Sequence, residues 1–126
     1  FREGNIIYLK DATGTQMRSV FGSKDDHKGK LFNWTKRNVS KVYVYYAGHG
    51  APAGDQGTTY LVPSDADSET VQLTGYPLKQ LYRNLGKVPA TSITVILEAC
   101  FSGQSQGGYL SSKISGIRVI TKMSST

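Results

Sequence analysis

Apolar and polar residues alternate along this chain with two periods, and the switches between them mark out its elements. The run NIIYLK, Asn5 to Lys10, is β-branched and aromatic and lies between Gly4 and Asp11, which predicts a buried strand. A helix follows: Thr13 is placed to cap it, Met17, Val20 and Phe21 recur at three-and-four spacing, and Gly22 ends it. Ser23 to Lys30 has no period and reads as an exposed loop, after which Leu31 to Asn38 predicts a short helix carrying Trp34 inward. The run VYVYY, Val42 to Tyr46, is a dense β-former that should break at Ala47-Gly48-His49-Gly50-Ala51-Pro52, where two glycines and a proline oppose continuation.

Ala53 to Thr59 reads as a polar loop, Tyr60 to Pro63 as a short extended piece, and Ser64 to Thr74 as an acidic connector. A second helix is well marked, with Pro77 in its first turn, Leu78, Leu81, Tyr82 and Leu85 on one face, and Gly86 as its stop. In Thr91 to Gly103, Ile93, Val95 and Leu97 alternate with Thr94 and Ile96, the pattern of a strand covered on both faces, and the run should stop at Cys100 on a turn. Gln104 to Ser115 is rich in glycine and serine and reads as a mobile segment; Gly116 to Thr121 predicts one more strand.

The path from VYVYY through the leucine-faced helix to TSITVILEA is a strand, helix, strand unit. Such a unit is built as a right-handed parallel crossover, which lays the C-terminal ends of the two strands side by side. His49 and Cys100 are expected to meet there. The expectation is an α/β fold in one domain.

Composition narrows the picture. A chain of 126 residues, 38% hydrophobic, suffices for one core and not for two. It opens at Phe1 and ends on Met-Ser-Ser-Thr, which reads as a fragment or an excised catalytic region, open to truncation at both ends. A single cysteine forms no internal disulfide and favours a reducing, cytoplasmic setting. No apolar run approaches the roughly 18 residues that span a bilayer, so no membrane partner is expected. The net charge of +6 is spread through Lys24, Lys28, Lys30, Lys36, Arg37 and Lys41 with Asp25 and Asp26 between them, a solvated surface and no nucleic-acid footprint.

The chemistry worth weighing is that of Cys100 and His49. A cysteine attacks as its thiolate, which needs a positive or proton-accepting neighbour, and histidine supplies acid and base steps near neutral pH. Open α/β sheets bind ligands beyond the carboxyl ends of their strands, where this pair is expected. The backbone N–H groups of Gly50 and Cys100 are candidates to stabilise an oxyanion on a carbonyl attacked by the thiol. Taken singly, such a cysteine is more often a small buried hydrophobe and such a histidine a turn residue; it is their joint placement that favours catalysis.

VYVYYAGHG followed by ITVILEACFSG resembles the two signature blocks of the caspase-like cysteine peptidases of clan CD, in the metacaspase-type and bacterial branch: a strand ending Gly-His-Gly and a second ending acid-x-Cys-x-Ser-Gly. The spacing of His49 and Cys100 matches the ~50 residues between the two in caspases. YLVPSDAD and the helix after Tyr76-Pro77 are similar as well, so the likeness runs from about Asn5 to Gly103. It implies a three-layer α/β/α sandwich with a mostly parallel central sheet, residues 1–126 forming a large-subunit-like catalytic domain. It also implies a cysteine endopeptidase with a His49/Cys100 dyad, acting on peptide or protein substrates. By position Glu98, two residues before the cysteine, inherits the pocket acid that selects Arg or Lys before the scissile bond. The alternative is a caspase-like scaffold or regulatory domain without activity, whose mark would be the loss of His or Cys.

Two features depart from that branch. Phe101 stands where histidine is frequent, and reads as pocket wall or core. The loops after the two blocks offer only Asp55 and then Gln104-Ser105-Gln106, too few carboxylates for a calcium ion, so no cofactor or metal is expected. Asp65 and Asp67 read as turn-formers. One cysteine and two histidines, with His27 in a charged loop, do not make a zinc site. A cysteine phosphatase would need an arginine where Gln106 stands, and the glycine-rich nucleotide-binding motifs do not occur.

Overall fold

The computed structural model describes residues 2–53 and 58–99 in full, together with the backbone of 100, 101 and 117–123. In chain order its elements are α1 (Gly14–Phe21), α2 (Lys30–Trp34), β1 (Lys41–Ala53), β2 (Thr58–Leu61), α3 (Val71–Thr74), β3 (Tyr76–Pro77), α4 (Leu78–Leu85), β4 (Ser92–Phe101) and β5 (Ile117–Met123). Single 3-10 turns occupy Glu3–Asn5 and Ser68–Thr70.

The two helices with complete sequence signals form as expected. Thr13 caps α1 in a reciprocal box: its hydroxyl accepts from the Gln16 N–H, and the Gln16 side chain accepts from the Thr13 N–H. Gly22 closes it at φ 91° and ψ 172°, a conformation that essentially only glycine adopts. α4 buries Leu78, Leu81, Tyr82 and Leu85 and stops at Gly86. The two helices are tied at that bend, where the buried Asn84 amide donates to the carbonyls of Phe21 and Ser23. Asp65 also reaches α1, its Oδ1 accepting from the Gly14 N–H at 2.9 Å, while Asp67 caps the following 3-10 turn. The acidic connector is therefore more structured than its pattern indicates, ending in that turn and α3.

The sheet has the order β3-β2-β1-β4-β5. β1, β4 and β5 run parallel, whereas β2 is antiparallel to β1 and β3 to β2. The fold is thus α/β, but its sheet is mixed where a mostly parallel one was expected, because the residues after His49 turn back as the β1–β2 hairpin. One face carries Val42 and Val44 of β1 with Ile93, Val95, Leu97 and Ala99 of β4, and the apolar residues of α1 and α4 complete this core. Val95 and Leu97 are fully buried, each worth about 1.5–3 kcal/mol. On the opposite face Tyr43 and Tyr45 are 55% and 60% exposed, so the third layer is not present among the described residues.

Other expectations are corrected. Residues 6–10 form no strand, and Tyr8 is 78% exposed. A β-prone run becomes a strand only against a partner, and none stands beside this one among the described residues. Trp34 is 45% exposed and stays outside, with the Lys30 ammonium 5.1 Å from its ring centroid, since a five-residue helix brings only Leu31 and Phe32 to the core. β1 does not break at Ala47 but runs on to Ala53. Pro52 is tolerated because alternate residues face opposite neighbours: its nitrogen points to the β4 side, and β4 pairing ends at Gly50 with Phe101. The expected strand after Gly116 is β5, parallel to β4.

Candidate active site

β1 and β4 pair in parallel over ten residues, from Lys41 with Ser92 to Gly50 with Phe101, and His49 stands directly opposite Cys100. Neighbouring strands lie about 4.8 Å apart, so the two α-carbons are close, and in-register positions of a parallel pair share a face of the sheet. That face is the open one, with Tyr43, Tyr45 and Ala47 before His49, and Thr94, Ile96 and Glu98 before Cys100. The His49 side chain is exposed. Cys100 is a strand residue here, where a turn was expected, and the segment from Gln104 to Ser115, read as mobile, lies outside the described residues.

The alternation that builds this face is simple. Val42 and Val44 must be buried against the helices, so their odd-numbered neighbours point away, and every second residue up to His49 follows. The even-numbered positions of β4 up to Cys100 follow in the same way from Ile93, Val95, Leu97 and Ala99.

Gly50 is buried, inside the sheet and not on an open turn, in register with both Leu61 and Phe101. The Val62 N–H donates to the His49 carbonyl at 3.0 Å, which makes Gly50 and Leu61 a non-hydrogen-bonded pair. The Gly50 N–H is thereby directed to the β4 side, where Cys100 lies.

Glu98 is partly buried and lies diagonally beyond Tyr45. Desolvation first, and then the Glu98 carboxylate through a hydrogen bond and its charge, push the Tyr45 phenol above its ordinary range. Solvent screens the effect at so exposed a side chain. On the other flank Glu98 is in register with Lys122 of β5, a position of opposite charge on the same face. Tyr45 and Lys122 are neighbours of Glu98 that the sequence reading did not single out. The period-two pattern of VYVYY was the signal for the first, and no signal for the β4–β5 register exists in the chain.

Asp55 and Gln104 to Gln106, read as poor calcium ligands, lie outside the described residues. Among the described residues no helix is long and apolar enough to cross a membrane. No protein-family model and no curated protein matches this chain.

Proposed function

We propose that this chain is the catalytic region of a caspase-like cysteine endopeptidase that cleaves peptide bonds after basic residues, Arg ahead of Lys. The observation that carries the reading is the register of His49 with Cys100 near the C-terminal end of the parallel β1–β4 pairing. In the reaction the Cys100 thiolate attacks the scissile carbonyl carbon, forming a carbon–sulfur bond and an oxyanion, and the Gly50 and Cys100 N–H groups expected to hold that oxyanion are taken up by the β1–β4 ladder. Collapse breaks the carbon–nitrogen bond as the His49 imidazolium passes its proton to the leaving amine. Water, deprotonated by His49, then hydrolyses the thioester and restores the thiol. Glu98, on the same face and one strand alternation before Cys100, accepts the charge-assisted hydrogen bonds of a guanidinium.

Mass spectrometry after incubation with an Arg-containing peptide chloromethylketone tests this reading. One adduct on Cys100 is expected, absent from Cys100→Ala and strongly reduced in His49→Ala. Glu98→Gln should slow labelling by the Arg reagent about tenfold to a hundredfold while leaving iodoacetamide alkylation of Cys100 unchanged. Absence of any adduct on the parent chain would favour the inactive scaffold, and preference for an Asp reagent would remove Glu98 from the pocket.

A further inference from the structure

The Tyr46 hydroxyl donates to the carbonyl oxygen of His49 at 2.7 Å, three residues along its own strand. From this geometry we infer that Tyr46 is a positioning residue for His49, fixing the peptide from which the imidazole projects; the inference rests on the His49/Cys100 reading above. His49 lies between Gly48 and Gly50, and glycine on both sides gives its backbone more freedom than any other flanks would. Two donors remove that freedom. The Tyr46 hydroxyl and the Val62 N–H, 3.0 Å away, both reach the His49 carbonyl, using its two lone pairs and tying it to the core and to the residue after β2.

Gly48 is what lets the tyrosine reach. A β-carbon at Gly48 would stand 2.8 Å from the Tyr46 hydroxyl oxygen and 3.0 Å from its Cζ, so any side chain there displaces the ring. The ring is itself held, being partly buried and packed against the core cluster. Burial raises the phenol above its ordinary range and outweighs the Val62 N–H, which acts the other way, so the hydroxyl keeps its proton and remains a donor across the working pH of a cysteine–histidine pair. Phenylalanine would fill the same space; only the hydroxyl is needed for the hydrogen bond.

The test is the pH profile of Cys100 alkylation by iodoacetamide, measured on the intact chain, its Tyr46→Phe, Gly48→Ala and His49→Ala variants, and paired with urea midpoints. The parent should show thiolate reactivity persisting at mildly acid pH, as an imidazolium neighbour provides, and His49→Ala should reduce it to that of an ordinary thiol. Tyr46→Phe should lower alkylation at mildly acid pH about fivefold to tenfold, the scale of one lost hydrogen bond, and leave it unchanged at alkaline pH. Gly48→Ala should reproduce that change, and adding Tyr46→Phe to it should change little more. If His49→Ala alters the profile while Tyr46→Phe matches the parent, or lowers only the urea midpoint, the positioning role is refuted and the pair stands. If His49→Ala leaves the profile unaltered, the pair fails and the inference falls with it.

Discussion

Replacing His49 by cysteine tests the register of the site without reference to catalysis. Cys100 is the only cysteine of the chain, so His49→Cys creates one possible intramolecular disulfide. The two positions are in-register partners on adjacent strands, with α-carbons about 4.8 Å apart and on one face, inside the ~4.4–6.8 Å window that a disulfide spans. Closing a loop of about 50 residues lowers the entropy of the unfolded chain by some 4 kcal/mol at 25 °C, an upper figure from which native-state strain subtracts. Mild oxidation should therefore give a monomer without free thiol whose urea midpoint rises and returns on reduction. Ala47→Cys is the control: Ala47 is exposed and shares that face, but it is in register with Glu98, which leaves it roughly 8 Å from the Cys100 α-carbon, beyond the window. If both thiols of His49→Cys stayed titratable under oxidation, or if Ala47→Cys crosslinked as readily, the register and the site built on it would be wrong.

Two glycines should respond in opposite directions when each becomes alanine. At Gly22 the φ of 91° and a β-carbon 2.6 Å from the Asp26 carbonyl oxygen combine strain with overpacking, so Gly22→Ala should cost about 2–5 kcal/mol in urea unfolding. At Gly86, helical at φ −62° with nothing nearer than 3.4 Å, Gly86→Ala should be neutral or stabilise by up to about 1 kcal/mol; equal losses at both sites would refute the argument. Tyr82 should set an alkaline limit on stability. Burial pushes its phenol up to about 12, so the folded state retains a proton that the unfolded chain releases near pH 10, and stability present below about pH 10 should be lost as pH rises towards 12. Its hydroxyl is buried without a hydrogen-bond partner among the described residues, so Tyr82→Phe should flatten that decline and cost little at neutral pH. An unchanged slope would show that other groups control it.

What the sequence made legible was decided locally. α1 carries its cap, its periodicity and its stop within ten residues, and α4 carries Pro77, four apolar positions and Gly86 in the same compass, so each could be read without knowing its neighbours. The strands were harder because a strand is a property of a pair. NIIYLK has the composition of a strand and pairs with no strand among the described residues, whereas AGHGAPA has the composition of a break and is held in β1 by β4 on one side and β2 on the other. The penalties of glycine and proline are real, but at Pro52 the missing donor faces a side on which no strand stands among the described residues, and at Gly48 and Gly50 the ladder supplies the order that the residues lack.

The juxtaposition of His49 and Cys100 was legible for a different reason: it follows from topology more than from where each strand ends. Once VYVYY and ITVIL are parallel neighbours with their valines and leucines buried together, only the relative register remains free. Both buried sets, Val42 and Val44 against Ile93, Val95 and Leu97, must meet the same helices. A slip by one residue would turn one strand's apolar side to solvent, and a slip by two would leave part of it without a cover. The register that satisfies the core sets Val44 beside Val95, and five residues further on along both strands it sets His49 beside Cys100. The same reasoning places Glu98 on the open face with them, one alternation back. It is silent on Lys122, because the β4–β5 register comes from a strand that follows the glycine- and serine-rich segment and shares no local pattern with the dyad. On the proposed reading Glu98 accordingly has two claimants, the cation of a substrate and the position in register beside it, and a preference for Arg would depend on which of them the carboxylate meets at lower cost in lost hydration.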